Sequence, residues 1–180
     1  MPSKMTKIPT GADHKDQVMD SPDRNLYEDI NAMAQSANLL LHCRKGFGRA
    51  LGITANQFAV LAGVANRQGN TGISIKEIAE HVSLASTRVT TEVSRLENMG
   101  FLRKRINGGD RRGVLVSLSK HGEMAFNRVI PLIRRTNALL FENILKRELE
   151  SARIVAEMLI AKAEYALDQL DLAETQMHRP

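Results

Sequence analysis

The sequence predicts a mainly α-helical chain with one small β-hairpin, and three observations predict it. Apolar residues recur at helical spacing from Asn25 to Arg49, from Thr54 to Val64, from Ile75 to Met99 and through most of the chain after Ser119. Two helix-start signatures of the capping-box type, Thr54-Ala55-Asn56-Gln57 and Ser74-Ile75-Lys76-Glu77, punctuate the first half. One β-rich stretch lies between Phe101 and Leu118, broken by Asn107-Gly108-Gly109-Asp110, whose Asn-Gly pair is a strong hairpin signal.

Residues 1–24 hold Pro2, Pro9, Pro22 and Gly11 among many charges and little apolar periodicity, so they read as a flexible arm. The first helix, Asn25 to Arg49, carries Leu26, Ile30, Met33, Ala37, Leu40 and Leu41. The second starts at Thr54 and carries Phe58, Leu61 and Val64. A third begins at Ile75, with Ile78, Ala79 and Val82 continuing its apolar stripe. Ser83 and Leu84 break that pattern. Ser86 or a neighbour caps a fourth helix, whose buried stripe is Val89, Val93 and Leu96 and whose end is Gly100 at C′.

The other face of the fourth helix carries Ser86, Thr87, Arg88, Thr90, Thr91, Ser94 and Arg95. A polar stripe alone is usually a solvated surface. Here it follows a capped helix and precedes a basic hairpin, the order of a winged helix-turn-helix, and short hydroxyls with arginines suit phosphates and base edges in a major groove. The strands are Phe101 to Ile106 and Val114 to Leu118, with Arg111 and Arg112 at or near the hairpin tip. Asp110 lies two residues from Arg112, where its carboxylate can aim the guanidinium at a narrow minor groove. From Leu84 to Arg112 there are seven Lys/Arg against three Asp/Glu, so this segment favours a polyanion.

At these residues the chain resembles the MarR family of winged-helix transcription regulators. The resemblance is carried by Leu51-Gly52-Ile53-Thr54, by the helix pair from Ile75 to Arg95, and above all by the run Asp110-Arg111-Arg112-Gly113-Val114-Leu115-Val116-Ser117-Leu118-Ser119. It implies a homodimer that places its recognition helices in successive major grooves of a pseudo-palindromic operator and a wing arginine, Arg112 by motif position, in the minor groove. Many members have arginine where this chain has Ser86 and Thr91, so no operator sequence carries over. The resemblance also implies a small-molecule effector, an aromatic acid, phenol or coenzyme A thioester, bound between dimerisation helices and winged domain. His42, Arg44 and Arg49 on the first helix are the candidate anion partners.

The last helices follow from periodicity again. Ser119 caps a long one through Met124, Phe126, Val129, Ile130, Ile133, Leu139, Leu140, Ile144 and Leu145, with Pro131 expected to bend it or interrupt its hydrogen bonds. Another runs from about Glu148 to Leu170. The terminal helices carry more apolar surface than a small winged domain covers, and a second subunit is the economical cover. The expected organisation is an arm at 1–24, a helical dimerisation region at 25–53 and 119–172, and a DNA-binding domain at 54–118.

A net charge of +5 and a sequence pI of about 9.6 agree with a nucleic-acid partner. No apolar run reaches the roughly 20 residues of a membrane span. The N-terminus lacks the apolar segment of a signal peptide. The single cysteine, Cys43, excludes an intrachain disulfide and fits a reducing cytoplasm. No catalytic constellation is legible, and none for a metal or a cofactor: the five histidines are scattered, and Gly108-Gly109 lacks the following Lys and hydroxyl of a phosphate loop. The expectation is a repressor released by its ligand. Two alternatives stay open, an architectural protein that coats DNA without sequence preference, and a repressor that senses peroxide through Cys43, flanked by Arg44 and Lys45.

Overall fold

The computed structural model describes the backbone of residues 24–107 and 110–177 and the side chains of residues 26–106 and 113–177. The expected arm, apart from Arg24, lies outside the described residues. The chain divides into two compact units, residues 1–133 and 134–180.

In the first unit the elements run α1 (Arg24–Ala50), α2 (Ala55–Arg67), β1 (Ile73–Ser74), α3 (Ile75–Val82), α4 (Ser86–Asn98), β2 (Leu102–Asn107) and β3 (Asp110–Leu118), and α5 (Lys120–Leu140) starts there and runs on into the second. Both capping boxes form as their spacing requires. The Thr54 hydroxyl accepts from Gln57 N at 3.2 Å while Gln57 Oε1 accepts from Thr54 N at 2.9 Å. Ser74 and Glu77 repeat the pattern at 3.2 and 2.9 Å. The Ser74 hydroxyl, and after it the Ser74 amide, holds the Glu77 carboxyl below its ordinary value near 4.5.

The start of α4 differs from expectation. Its N-cap is Ala85, which has no side chain able to accept, and Ser86 is the first helical residue. Packing holds this end instead, through the fully buried Val89, Val93 and Leu96. The other end is a Schellman motif: Phe101 N donates to Leu96 O at 2.8 Å and Gly100 N to Glu97 O at 2.9 Å, with Gly100 at φ +79°.

The core gathers α2, α3, α4 and the sheet around Val60, Leu61, Val64, Ile78, Val89, Val93, Leu96 and Val116, all fully buried. Each such side chain contributes roughly 1.5–3 kcal/mol relative to exposure. The sheet is antiparallel in the order β1-β3-β2. Hairpin pairing runs from Leu102 opposite Leu118 to Ile106 opposite Val114, then steps to Asn107 opposite Asp110, so β3 carries a bulge before Val114.

The observed strands shift the expected ones. Phe101 precedes β2 because it closes α4, and β3 reaches back to Asp110, which puts the backbone of Arg111 and Arg112 inside the strand. Both fall in the bulge, between Asp110 opposite Asn107 and Val114 opposite Ile106. Strand β1 was not expected: only two residues long, it is held where Gly72, at φ +83°, brings the chain so close that a Cβ there would lie 2.9 Å from Val116 O.

Pro131 sits inside α5 without ending it, removing one backbone donor. The helix stops at Leu140, earlier than its periodicity suggests, because the turn that follows has Asn143 at φ +64°. Ile144 and Leu145 therefore lie after that turn, in the connection to the next helix. Glu148 Oε2 accepts from Leu145 N at 2.9 Å and opens α6 (Lys146–Met177) in the second unit. None of the 32 residues of α6 is buried, and Ile154, Val155, Met158, Leu159 and Leu167 are exposed. On α1, Leu26, Ile30, Met33, Leu40 and Leu41 are exposed as well. Among the described residues no helix is long and apolar enough to cross a membrane.

Candidate nucleic-acid interface

Helix α4 packs against α2 and α3 through its apolar stripe, which turns Ser86, Thr87, Arg88, Thr90, Thr91 and Arg95 to solvent. These are the side chains expected on this face. Their hydrogen bonds, however, restrict what they offer. Thr90 Oγ1 donates to Ser86 O at 2.8 Å, Thr91 Oγ1 to Thr87 O at 3.0 Å, and Ser94 Oγ to Thr90 O at 3.0 Å. With the proton spent on the helix, each oxygen is left as an acceptor, complementary to the exocyclic amines of base edges rather than to phosphate.

Ser94 is also taken from the other side. Lys104 Nζ lies 3.1 Å from Ser94 Oγ and 2.7 Å from Glu97 Oε2, and Lys104 N donates to Glu97 Oε1 at 3.3 Å. The base of the wing is thus tied to the last turns of α4. The remaining basic residues of β2 also have partners: Arg103 Nε donates to Ser117 Oγ at 2.9 Å and Arg105 Nη2 to Thr71 O at 2.6 Å. The side chains of Asp110, Arg111 and Arg112 lie outside the described residues, so the aiming of Arg112 by Asp110 stays an expectation.

One charged residue was not foreseen at this face. Glu92 is 1% exposed, with Arg88 Nε 3.2 Å and Arg95 Nη1 3.3 Å from its Oε1. Helical spacing from Val89 and Leu96 could have found it, since position 92 lies three residues after one and four before the other, inside the buried stripe.

The family model that matches the chain is described as MarR family and covers residues 51–113, from the turn before α2 to the wing. The winged-helix segment is thus similar to the MarR family. The chain is also similar to a relative in Dickeya dadantii, the HTH-type transcriptional regulator PecS, 32% identical over 78 residues, which are 43% of this chain and 47% of PecS. The chain spans about half the length of the curated relatives it matches. The fold is shared with CouR from Rhodococcus jostii, at TM-score 0.66 and 17% identity over 76% of this chain and 95% of that one. It is also shared with a mutant MarR from E. coli, at TM-score 0.60 and 22% identity over 77% and 99%. The former was solved bound to p-coumaroyl-CoA and the latter complexed with operator DNA.

The expected ligand residues do not converge in one chain. Helix α1 is continuous through them, so His42 and Arg49, seven residues apart, share a face from which Arg44 points away. His42 Nδ1 lies 3.0 Å from Asn38 O, and Cys43 is half-buried against the core. A cavity of about 340 Å³ opens elsewhere in the first unit, lined by Leu51, Phe101, Ala125, Val129 and Leu132 with Arg128 and His121. The rings of Phe101 and His121 are 5.2 Å apart. Among the described residues no group of three or more His, Cys, Asp or Glu is placed to hold a metal.

Proposed function

We propose that the chain is a homodimeric, sequence-specific DNA-binding transcription regulator of the cytoplasm, a repressor released by a small ligand. The observation that carries this reading is the outward polar face of α4, clamped to a basic wing within a MarR-type segment. On this reading residues 54–118 bind DNA, and residues 25–53 and 119–172 bury their exposed apolar residues against a second copy. Helix α4 enters the major groove, where Arg88 and Arg95 meet base edges or phosphates, and Arg112 enters the minor groove. The operator DNA bound by one of the two fold neighbours and the CoA thioester bound by the other support the partner and the ligand class. The Leu51 and Phe101 cavity suits an aromatic acid, with the ring against its apolar wall and the carboxylate on Arg128.

The test is a titration at physiological salt of the full chain against a duplex selected from a randomised library and against a scrambled duplex. A regulator gives an affinity ratio of ~10³ or more, an architectural protein a ratio far smaller. Arg112→Ala is expected to abolish most operator affinity with the dimer intact, and Asp110→Ala to weaken binding although it removes a negative charge. Normal binding by the first and tighter binding by the second would reduce the wing to a charged loop.

A further inference from the structure

Burying a carboxylate under a DNA-facing helix is unfavourable twice over, through desolvation and through repulsion of phosphates. Glu92 nevertheless has only 1% of its side chain exposed, while its partners Arg88 and Arg95 keep 56% and 60% of theirs in solvent. The two arginines stand four residues before and three after it, two turns apart on one face of α4. We propose that Glu92 is a positioning residue for DNA reading, a buried anchor that fixes the inner edges of Arg88 and Arg95 so that their outer edges point into the groove already aligned.

The atoms used are those that leave the reading edges free. Arg88 spends Nε, 3.2 Å from Glu92 Oε1, and keeps its terminal Nη1 and Nη2 pair. Arg95 spends Nη1, 3.3 and 3.4 Å from the two carboxylate oxygens, and keeps the Nε and Nη2 edge. Either remaining pair can take guanine O6 and N7, or a phosphate, in bidentate fashion. Rotamer freedom that an unanchored arginine would lose on docking is lost on folding instead. A purely structural role would be met as well by an apolar residue, since replacing a buried ion pair by a hydrophobe of similar volume is often neutral or stabilising. The inference rests on the DNA-binding reading above.

Glu92→Met separates the two roles. The proposal expects the full-length variant to melt at or above the wild-type temperature while its preference for the library-selected duplex over the scrambled one falls at least about tenfold. It also expects Arg88→Ala to cost less discrimination in the Glu92→Met background than alone. If affinity rises equally for both duplexes, removing the charge has only relieved repulsion and the proposal is wrong. A second measurement is independent of the variant's folding and of the DNA reading. In the free wild-type chain, the Arg88 and Arg95 Nε–H groups should be ordered on the NMR timescale, as solvent-exposed arginines rarely are. If wild-type protein shows no duplex preference, the DNA reading fails first, and this measurement still decides the anchor. Mobile guanidiniums in the wild type overturn it.

Discussion

Gly122→Ala is expected to destabilise this protein although it replaces glycine by the best helix former. Gly122 is buried in the first turn of α5, where its amide donates to Ser119 Oγ at 2.9 Å. A Cβ built on it overlaps Phe101 O and stands 2.9 Å from Phe101 C and 3.2 Å from its Cα, all backbone atoms that no rotamer change can withdraw. Phe101 O also accepts from Ser119 N at 3.0 Å, and Phe101 N closes the Schellman motif on Leu96. Relief must therefore displace either α5 or the end of α4. Overpacking of this kind costs about 1–3 kcal/mol. A clash with backbone lies in the upper half of that range, about 2–3 kcal/mol, and helix propensity returns about 1 kcal/mol, so the net loss is about 1–2 kcal/mol. For a chain of this size that lowers Tm by roughly 2–8 °C. Calorimetry of the full-length chain reads it, with Gly46→Ala in α1 as the matched control. There a Cβ meets only Arg49 Nη2 at 4.0 Å, so the same substitution should raise Tm by a few degrees. Affinity for the selected duplex should fall in the Gly122 variant, because the displaced backbone closes the end of α4, the helix proposed to enter the major groove. Equal gains in Tm for both variants would refute the close approach of α5 to Phe101.

Ser74→Ala should cost about 1 kcal/mol in urea unfolding through loss of the α3 cap. Ser74 lowers the folded carboxyl of Glu77, so the carboxylate's share of that contribution is present above the ordinary value near 4.5 and lost as pH falls through the lower folded one, and the difference between wild type and variant should narrow in acid. A constant difference down to the acid limit would assign the cost elsewhere. Lys104→Met, which unties the wing from Glu97 and Ser94, should weaken the selected duplex more than the ~1 kcal/mol or less it takes from stability, as titration beside a melt would show. Arg88→Ala and Arg95→Ala should each lower duplex affinity with little change in Tm; if neither does, α4 is not in the groove. Sedimentation should find twice the 20.0 kDa chain mass, and a stable monomer at micromolar concentration would sink the dimer.

What the sequence determined by itself is short-range. The capping boxes at Thr54 and Ser74, the C′ glycine at Gly100 and the apolar stripe of α4 depend on residues within four or five positions of each other, and the chain's local chemistry settles them. The same reach made the polar face of α4 legible as Ser86, Thr87, Arg88, Thr90, Thr91 and Arg95. Glu92 was legible in principle, since helical spacing places it in the buried stripe, but its charge argued for solvent and only the guanidiniums beside it resolve that conflict. Strand β1 gives no periodic signal in two residues and exists because Gly72 lets the chain lie against Val116. The end of α5 at Leu140 was hidden by an apolar pattern that continues through Ile144 and Leu145, although a left-handed Asn143 breaks the helix between them. Tertiary structure alone decided which polar groups are left over for a partner. Lys104 is tied to Glu97, Arg105 to Thr71 and Leu118 N to Gln68 Oε1, pairs separated by 7, 34 and 50 residues. Such pairing depends on how distant segments pack, so the donors and acceptors a folded chain keeps free cannot be counted from the order of its residues.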